Sequence, residues 1–280
     1  MHVLVTGSSG RIGHYAVQDL KDAGHQVLGV DIASGENTGL VVDLTKSGEI
    51  YQALARAKAE AVVHMGAWAN PGVVPDTRTY GENVQGVFNL FQACAELGIK
   101  RVVSASSAQV YGFAGAPPEF VRVDESHPTR PLNCYALSKV AGEQAADYFV
   151  KNFGMEILSF RFMGIRSPEE LDREIDVLVA HPEKGGALLW TRTDVRDAAR
   201  ACRLAIEANA PASGPYNITG ARVLLDTKSS ELVHQYCKGV EDRGHLVGVE
   251  SPMSCERAQR EFAYEAHYVW SVNNRYLETS

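Results

Sequence analysis

The strongest constraint on the fold of this chain lies in its first 31 residues, where glycines follow a short apolar segment at a regular spacing. Residues 2–5 (HVLV) have the apolar, valine-rich composition of a buried strand. An amphipathic segment over 12–23 predicts a helix, residues 26–30 predict a second strand, and Asp31 follows that strand directly. The turn between the first strand and the helix contains Gly7, Gly10 and Gly13.

Each of these glycines has a role that a side chain would prevent. The turn must leave the strand tightly, its backbone must approach a pyrophosphate, and the helix must pack closely on the sheet. The start of the helix, at Arg11 and Ile12, offers free N–H groups and a partial positive charge to phosphates. Asp31 is placed to accept hydrogen bonds from an adenosine ribose, and its charge would repel a 2′-phosphate. The stretch therefore predicts a dinucleotide site that favours NAD over NADP.

The composition is that of an ordinary globular protein, and it argues against several classes of partner. The formal net charge is −7 with no basic cluster, which argues against a nucleic-acid-binding surface. The five cysteines lack the paired spacing of a metal site and indicate reduced thiols. No apolar run reaches membrane-spanning length, and a strand predicted to begin at residue 2 leaves no room for a signal peptide. We therefore expect a cytoplasmic protein with no metal, membrane or nucleic-acid partner.

Strand and helix patterns alternate along the chain. Apolar strands are predicted over 61–67, 101–107 and 155–162, and amphipathic helices over 80–97 and 135–152. This alternation predicts an α/β fold of the Rossmann type, with a doubly wound parallel sheet. We expect residues 1–164 to form an NAD-binding domain and residues 165–280 a small C-terminal α/β substrate lobe interleaved with it. Within that lobe the pattern predicts helices over 169–179, 194–208 and 229–237, and short strands over 187–191 and 216–218.

Ligands of such sheets bind beyond the carboxyl ends of the strands, where several polar or small residues of this chain fall. One strand ends in Met65, Gly66 and Ala67, and the small residues there would let a cofactor lie against the backbone. Asp43 is placed to reach the adenine, although a local capping role explains it as well. His64 is more simply explained as a buried strand-end histidine than as a catalytic group.

Tyr135 and Lys139 lie four residues apart in a predicted helix, so their side chains share one face. By itself this spacing is common in amphipathic helices. Together with the glycine turn and a strand that ends at Ser107, it predicts an alcohol-oxidising site. Lys139 beside an oxidised nicotinamide would lower the pKa of the Tyr135 phenol. Tyr135 would then take the proton of a substrate hydroxyl held by Ser107, while hydride leaves the same carbon for the nicotinamide.

These motifs together resemble the NAD-dependent epimerase/dehydratase family of the extended short-chain dehydrogenase/reductase superfamily. The resemblance covers nearly the whole chain. It rests on Thr6-Gly-x-x-Gly-x-x-Gly13, Asp31, Asp43-Leu44, Asn83-Val-x-Gly86, Ser106-Ser107-x-x-Val110-Tyr111-Gly112, Tyr135-x-x-x-Lys139 and Val195-Arg-Asp197. The resemblance implies a catalytic trio of Ser107, Tyr135 and Lys139, with Lys139 holding the nicotinamide ribose. It also implies a homodimer formed through the helices over 80–97 and 135–152.

The residues expected to bind NAD are Gly7, Gly10, Arg11, Ile12, Gly13, Asp31, Asp43, Leu44, Met65, Gly66, Ala67, Asn83, Tyr135 and Lys139. Among these, Asn83 and Ala67 are implied by the resemblance to line the cofactor channel. The residues expected to contact the substrate are Ser107, Ala108, Arg161, Met163, Arg166 and Arg173.

The chain departs from the sugar-nucleotide epimerases of that family in two places that concern the substrate. Those enzymes have an asparagine three residues after the arginine at 161, and Gly164 stands there instead. Only 25 residues separate Pro168 from Asp194, which is short for a lobe that wraps a nucleotide base. Arg166 and Arg173 are suited to bind the carboxylate of a small sugar acid, although a solvated surface explains them equally well. The trimmed lobe is similar to that of the uronate dehydrogenases of the superfamily, although residues 107–112 differ from theirs.

We therefore expect an NAD-dependent oxidoreductase of carbohydrate metabolism that acts on a hydroxyl of a small sugar or sugar acid. The alternative is a nucleotide-sugar 4-epimerase, in which tightly bound NAD returns the hydride to the opposite face of the sugar. A non-catalytic NAD-binding regulator is a third hypothesis, and the intact Ser107, Tyr135 and Lys139 argue against it.

Overall fold

The computed structural model describes residues 1–243 and 246–275, and the backbone of 277–278. The strands, in chain order, are β1 (His2–Thr6), β2 (Gln26–Asp31), β3 (Leu40–Val41), β4 (Ala61–His64), β5 (Arg101–Ser107), β6 (Phe120–Val121), β7 (Glu156–Phe162), β8 (Ile165–Arg166), β9 (Thr193–Asp194), β10 (Gly214–Ile218), β11 (Glu241–Asp242), β12 (Tyr268–Val269) and β13 (Leu277–Glu278). The α-helices are α1 (Arg11–Asp22), α2 (Ser47–Ala57), α3 (Asp76–Glu96), α4 (Cys134–Phe153), α5 (Pro168–Ala180), α6 (Val195–Glu207), α7 (Ser229–Tyr236) and α8 (Glu256–Phe262). Two 3₁₀ helices span Ala108–Tyr111 and Pro182–Leu188.

A seven-stranded sheet organises the fold, in the order β3-β2-β1-β4-β5-β7-β10. The strands from β3 to β5 pair in parallel, and Val3 to Thr6 of β1 pair with both β2 and β4. Because the order runs outward from β1 in both directions, the sheet is doubly wound. The α/β fold of the Rossmann type expected from the sequence is confirmed.

The chain divides into two compact units. Unit 1 contains residues 1–107, 133–160 and 199–215, and unit 2 contains residues 108–132, 161–198 and 216–280. Unit 2 therefore takes in a segment from the middle of the chain as well as C-terminal residues. The functional division expected after residue 164 stays a prediction.

The core of unit 1 forms because amphipathic helices cover the sheet. Helix α1 buries Ala16, Val17 and Leu20, which recur at helical spacing. Helices α3 and α4 pack against each other, with the rings of Phe91 and Phe149 5.8 Å apart between centroids. These two helices carry the side chains that complete the site described below.

Unit 2 is assembled from shorter elements. Strand β8 pairs with β9, β6 with β11 and β12 with β13. Helix α5 begins with a capping box, in which Ser167 and Glu170 satisfy each other's backbone N–H groups. Over the described ranges of both units, no helix has the length and apolar character needed to cross a membrane.

The strand predicted over 187–191 is wrong. The 3₁₀ helix Pro182–Leu188 occupies most of this stretch, and Leu189 and Trp190 follow it in left-handed backbone. Gly185 lies so close to the Trp190 indole that a Cβ there would be 2.1 Å from Cδ1. The Trp190 Nε1 donates a hydrogen bond to the Pro182 carbonyl at 2.6 Å. The apolar residues of this segment therefore reflect packing around one tryptophan rather than strand alternation.

Candidate active site

The glycine turn after β1 brings backbone atoms together where side chains would clash. A Cβ on Gly7 would lie 2.6 Å from the Gly66 nitrogen, and a Cβ on Gly13 would lie 2.0 Å from the Gly7 carbonyl oxygen. Gly7 also has a φ of 70°, in the left-handed region that favours glycine. The turn thus packs tightly against both the segment after β4 and the start of α1.

The start of α1 has the features of an anion site. Among the described residues, no side chain caps α1 at Gly10, and no acidic side chain lies in its first turn. The Asp31 carboxylate at the end of β2 accepts hydrogen bonds from the backbone N–H groups of Ser9 at 2.9 Å and Ala33 at 3.2 Å. A bare glycine turn, an uncapped helix start and an acid held beside them fit the pyrophosphate and ribose of a dinucleotide.

Ser107, Tyr135 and Lys139 come together within unit 1. Ser107 ends β5, and the other two lie in the first turns of α4, which begins at an Asn133 side-chain cap. Tyr135 and Ser107 are hydrogen-bonded to each other, and all three side chains are buried. The Lys139 Nζ lies 5.5 Å from the centroid of the Tyr135 ring and donates to the Ala105 carbonyl at 2.7 Å.

Burial shifts the pKa values of both titratable members of this trio. It raises the pKa of Tyr135 to about 12, and the hydrogen bond with Ser107 acts in the opposite direction. Burial lowers the pKa of Lys139 to about 8, against the opposing charge of Glu143. The protein's own groups therefore leave the tyrosine pKa above its ordinary value, because burial disfavours the phenolate more than the hydrogen bond with Ser107 favours it. A further positive charge beside the phenol is needed to make it a base near neutral pH.

Two other residues predicted to bind NAD have structural contacts of their own. The Asn83 side chain donates to the Trp68 carbonyl at 3.2 Å and the Ser138 hydroxyl at 3.1 Å, and accepts from the Trp68 N–H at 2.8 Å. It therefore ties the loop after β4 to α4. One Asp43 oxygen accepts from the backbone N–H and the hydroxyl of Thr45, at 2.9 and 2.8 Å. These bonds match the local capping role that the sequence left open for Asp43 as an alternative to an adenine contact.

Met65, Gly66 and Ala67 lie in a loop, because β4 ends at His64. A Cβ on Gly66 would lie 2.8 Å from the Leu44 Cδ1, so the glycine lets Leu44 pack closely on this loop. The predicted strand over 61–67 is therefore too long by three residues.

One of the substrate residues predicted in unit 2, Arg161, is buried and bonded to protein partners. Arg161 donates to the Tyr111 hydroxyl at 2.9 Å and to the Glu125 carbonyl at 3.2 Å. The Tyr111 hydroxyl in turn donates to the Asn217 Oδ1 at 2.7 Å. Arg161 is thus part of a buried network that holds three segments of unit 2 together. Two further predicted substrate residues, Ala108 and Met163, are buried.

The other two predicted arginines differ in their partners. Arg166 pairs with the Glu174 carboxylate at 2.7 Å, and that carboxylate also pairs with the buried Arg192. Arg173 is exposed, and its Nε donates to the Glu169 backbone carbonyl at 3.1 Å.

Comparison with known proteins identifies the family. The model of the NAD dependent epimerase/dehydratase family matches residues 3–219. The chain belongs to this family. The resemblance read from the sequence motifs is therefore confirmed.

Relatives within the family include both dehydrogenases and epimerases. The chain is 29% identical over 226 residues to the L-arabinose 1-dehydrogenase (NAD(P)(+)) of Haloferax volcanii. This match covers 75% of this chain and 84% of that protein. It is 30% identical over 179 residues to the uronate dehydrogenase of Pseudomonas syringae pv. tomato, with 62% of each covered. It is 28% identical over 178 residues to the UDP-glucose 4-epimerase of Lactobacillus helveticus, with 59% of this chain and 52% of that protein covered.

Solved structures support the same fold. A short-chain dehydrogenase/reductase superfamily protein from Agrobacterium tumefaciens, crystallised with bound NAD, matches with a TM-score of 0.72 and 24% identity. The match covers 95% of this chain and 93% of that one. The family's Rossmann-type architecture therefore extends over nearly the whole chain.

Sequence reasoning missed a group of polar side chains around Lys139. Ser106 donates a hydrogen bond to a Glu143 oxygen at 2.6 Å. Glu143 follows Lys139 by four residues, and this helical spacing is the signal that would have found it.

His64 is buried, as expected, and its Nδ1 is bonded to the Thr6 hydroxyl at 2.7 Å. Burial and the charge of Lys139 lower the pKa of His64 to about 3, so its imidazole is neutral at neutral pH.

Proposed function

We propose that this protein is an NAD-dependent oxidoreductase that oxidises a hydroxyl group of a small sugar or sugar acid. The observation that carries the proposal is the grouping of Ser107, Tyr135 and Lys139 in unit 1. A base, a hydrogen-bonding hydroxyl and a buried cation are the groups that alcohol oxidation needs beside a nicotinamide. The arabinose and uronate dehydrogenases among the relatives support a free sugar or sugar acid as the substrate class.

In the proposed mechanism Tyr135 is the base that takes the proton of the substrate hydroxyl. Ser107 holds that hydroxyl against Tyr135, and Lys139 supplies a positive charge that favours the phenolate. Bound NAD supplies the acceptor for the hydride and, when oxidised, a second positive charge. The pKa of about 12 already applies with Lys139 in place, so the added positive charge of oxidised NAD would bring the pKa of Tyr135 down toward the working pH.

The proposed NAD site is built on the glycine turn and Asp31. Gly7, Gly10 and Gly13 would admit the pyrophosphate to the start of α1, and Asp31 would accept from the adenosine ribose. The remaining proposed contacts are Arg11, Ile12, Asp43, Leu44, Met65, Gly66, Ala67 and Asn83. The Asn83 amide is bonded to Trp68 and Ser138. Its proposed contribution is therefore to hold the loop after β4, which contains Met65, Gly66 and Ala67.

For the substrate, we propose that residues 165–280 form the binding lobe, and that residues 1–164 form the NAD-binding domain. Arg173 is a better candidate for a substrate carboxylate than Arg166, because Arg166 already shares Glu174. If the substrate is a sugar acid, Arg173→Ala is expected to raise the KM for that acid and to leave the KM for a neutral sugar unchanged. An equal effect on both substrates would contradict this assignment.

We also propose that the protein is a cytoplasmic homodimer. Helices α3 and α4 expose Tyr80, Phe88, Leu137 and Tyr148, each between 39% and 48% accessible. Large exposed apolar side chains on two helices that pack together support a surface that a partner covers. Analytical ultracentrifugation tests the proposal, and a monomer at all concentrations would contradict it.

The experiment that tests the function is NADH formation against free aldoses, uronates and nucleotide sugars. Steady NADH production with a free sugar or sugar acid is the expected result. The 4-epimerase alternative has support from the UDP-glucose 4-epimerase among the relatives. Interconversion of a nucleotide sugar without net NADH would establish that alternative, and NAD binding without turnover of any substrate would indicate a regulator.

A further inference from the structure

A small polar cleft lies beside Lys139 in unit 1. Its polar lining comes from Asn83, Ser104, Ser106, Ser138, Lys139, Glu143 and Ser159. The cleft has room for about one water molecule. Lys139 and Glu143 are the oppositely charged members of this lining within the described part of unit 1.

Burial of the Lys139 ammonium costs free energy, and a charged group that lines the cleft can offset this cost. An ammonium group removed from water is costly unless a counter-charge or several hydrogen bonds compensate it. The bond that Lys139 makes with the Ala105 carbonyl supplies a dipole but no charge. Glu143 lies one turn further along α4, on the same face of the helix, and lines the same cleft. Its carboxylate is therefore the nearby group able to balance the ammonium.

Ser106 fixes the position of that carboxylate. The Ser106 hydroxyl donates to a Glu143 oxygen at 2.6 Å, a short distance typical of a hydrogen bond to a charged acceptor. The two serines that end β5 therefore differ in function, because Ser107 is bonded to Tyr135 and Ser106 to Glu143.

We propose that Glu143, oriented by Ser106, is a positioning residue that keeps the buried Lys139 protonated at the pH of the reaction. The proposal rests on the proposed function, since it concerns the lysine assigned there to catalysis. Glu143 itself touches no reacting atom in this scheme. It acts through the charge of Lys139, directly and through a water held in the cleft.

The other titratable groups around Lys139 do not supply this charge. Without bound nucleotide, Tyr135 on α4 is a neutral phenol, and His64 on β4 is a neutral imidazole. The residues that line the cleft from α3, β5 and β7 are Asn83, Val87, Ser104, Ala105, Ser106 and Ser159, which carry no ionisable charge. Removal of the Glu143 charge is therefore expected to make Lys139 lose its proton at lower pH.

The test is Glu143→Gln, which removes the charge and keeps an oxygen for Ser106. We expect the pKa of Lys139, measured by nitrogen-15 NMR titration of its side chain without nucleotide or substrate, to fall by about one unit. The alkaline limb of the kcat/KM profile for NADH formation should move down by the same amount. Glu143→Asp, which keeps the charge, should restore most of both shifts.

Asp147→Asn is the matched control, because it removes the same charge one turn further along α4 at an exposed position. It should leave the Lys139 titration unchanged. An unchanged Lys139 titration in Glu143→Gln, or an equal shift in Asp147→Asn, would overturn the proposal.

If Glu143→Gln fails to fold, Ser106→Ala is the second test. A smaller shift of the Lys139 pKa in the same direction would support the proposal, and no shift would overturn it. The NMR titration needs no substrate, so failure of the proposed function would show separately, as wild-type protein that forms no NADH.

Discussion

Gly13 in unit 1 and Gly164 and Gly185 in unit 2 permit close packing against different kinds of neighbour. In unit 1, a Cβ on Gly13 would lie 2.0 Å from the backbone oxygen of Gly7, so the glycine permits two stretches of backbone to touch. In unit 2, a Cβ on Gly164 would lie 2.7 Å from the Arg192 Cδ, and one on Gly185 would lie 2.1 Å from the Trp190 ring. Gly164 and Gly185 make room for large buried side chains.

This difference extends to what holds each unit together around its polar residues. In unit 1, the buried His64 and Tyr135 are neutral without bound nucleotide, and Lys139 is the buried cation beside the Tyr135 ring. In unit 2, the Glu174 carboxylate bridges Arg166 and the buried Arg192. We infer that the buried polar side chains around Tyr135 contribute mainly to chemistry and those around Arg192 mainly to stability. The following variants test that distinction.

Tyr135→Phe is expected to have the largest effect. Removing the phenol hydroxyl should reduce the rate of NADH formation about 10³-fold or more, because the base is lost. The free energy of unfolding and NAD binding should change little, since the ring remains. Tyr51→Phe, which removes a hydroxyl elsewhere in unit 1, is the control. Turnover near the wild-type rate in Tyr135→Phe would exclude the proposed mechanism.

In unit 2, Glu174→Ala is expected to lower the free energy of unfolding by about 3 kcal/mol, because it leaves the buried Arg192 guanidinium without its counter-charge. Chemical denaturation measures this loss. Asp176→Ala on the same helix removes an exposed partner of Arg275 and should cost less than about 1 kcal/mol. A double variant, Glu174→Leu with Arg192→Met, should recover part of the loss. Equal costs for the Glu174 and Asp176 variants would break the contrast between the units.

The same contrast explains which features could be read from the sequence. The glycine turn, Asp31 and the Tyr135–Lys139 pair were predictable because their partners lie within one strand–turn–helix unit or one helical turn. Helix α3 begins at Asp76 rather than at the predicted residue 80, although Pro75 offered a local signal for an earlier start. Such errors arise at boundaries and leave the fold intact.

Other features depend on contacts between distant segments, which no local pattern encodes. Ser106 and Glu143 are 37 residues apart, and Arg161 and Tyr111 are 50 apart. Residues 182–190 pack around the ring of Trp190, which contacts Gly185 and donates a hydrogen bond to the Pro182 carbonyl. The apolar residues that this packing requires resemble the composition of a strand. The roles of Arg161 and Arg166 in ion pairs and networks therefore became visible only in three dimensions.

A third prediction concerns the neutral histidine of unit 1. The pKa of His64 is about 3 in the folded protein and 6.5 as a reference for the unfolded chain. Because the unfolded state binds the proton more readily, folding stability is lost as pH falls below about 6.5, down toward the folded value. Between pH 7 and pH 4.5 wild type should lose about 2 kcal/mol more than His64→Gln. His234→Gln, at an exposed position on α7, should follow wild type. Parallel pH curves for wild type and His64→Gln would show that His64 is not buried as described.

The smallest expected effect concerns cofactor choice. Asp31→Ala should reduce the preference for NAD over NADP about tenfold, because the carboxylate that would accept from the ribose and repel a 2′-phosphate is removed. Ratios of kcat/KM for the two cofactors measure this change. Glu36→Ala removes the same charge five residues further along and should leave the ratio unaltered. An unchanged ratio in Asp31→Ala would mean that the carboxylate serves the loop, through its bonds to the Ser9 and Ala33 N–H groups, rather than the ribose. Asp31 would then be a structural side chain of the kind found in unit 2, and the distinction between the units would fail at the residue where the sequence motif is strongest.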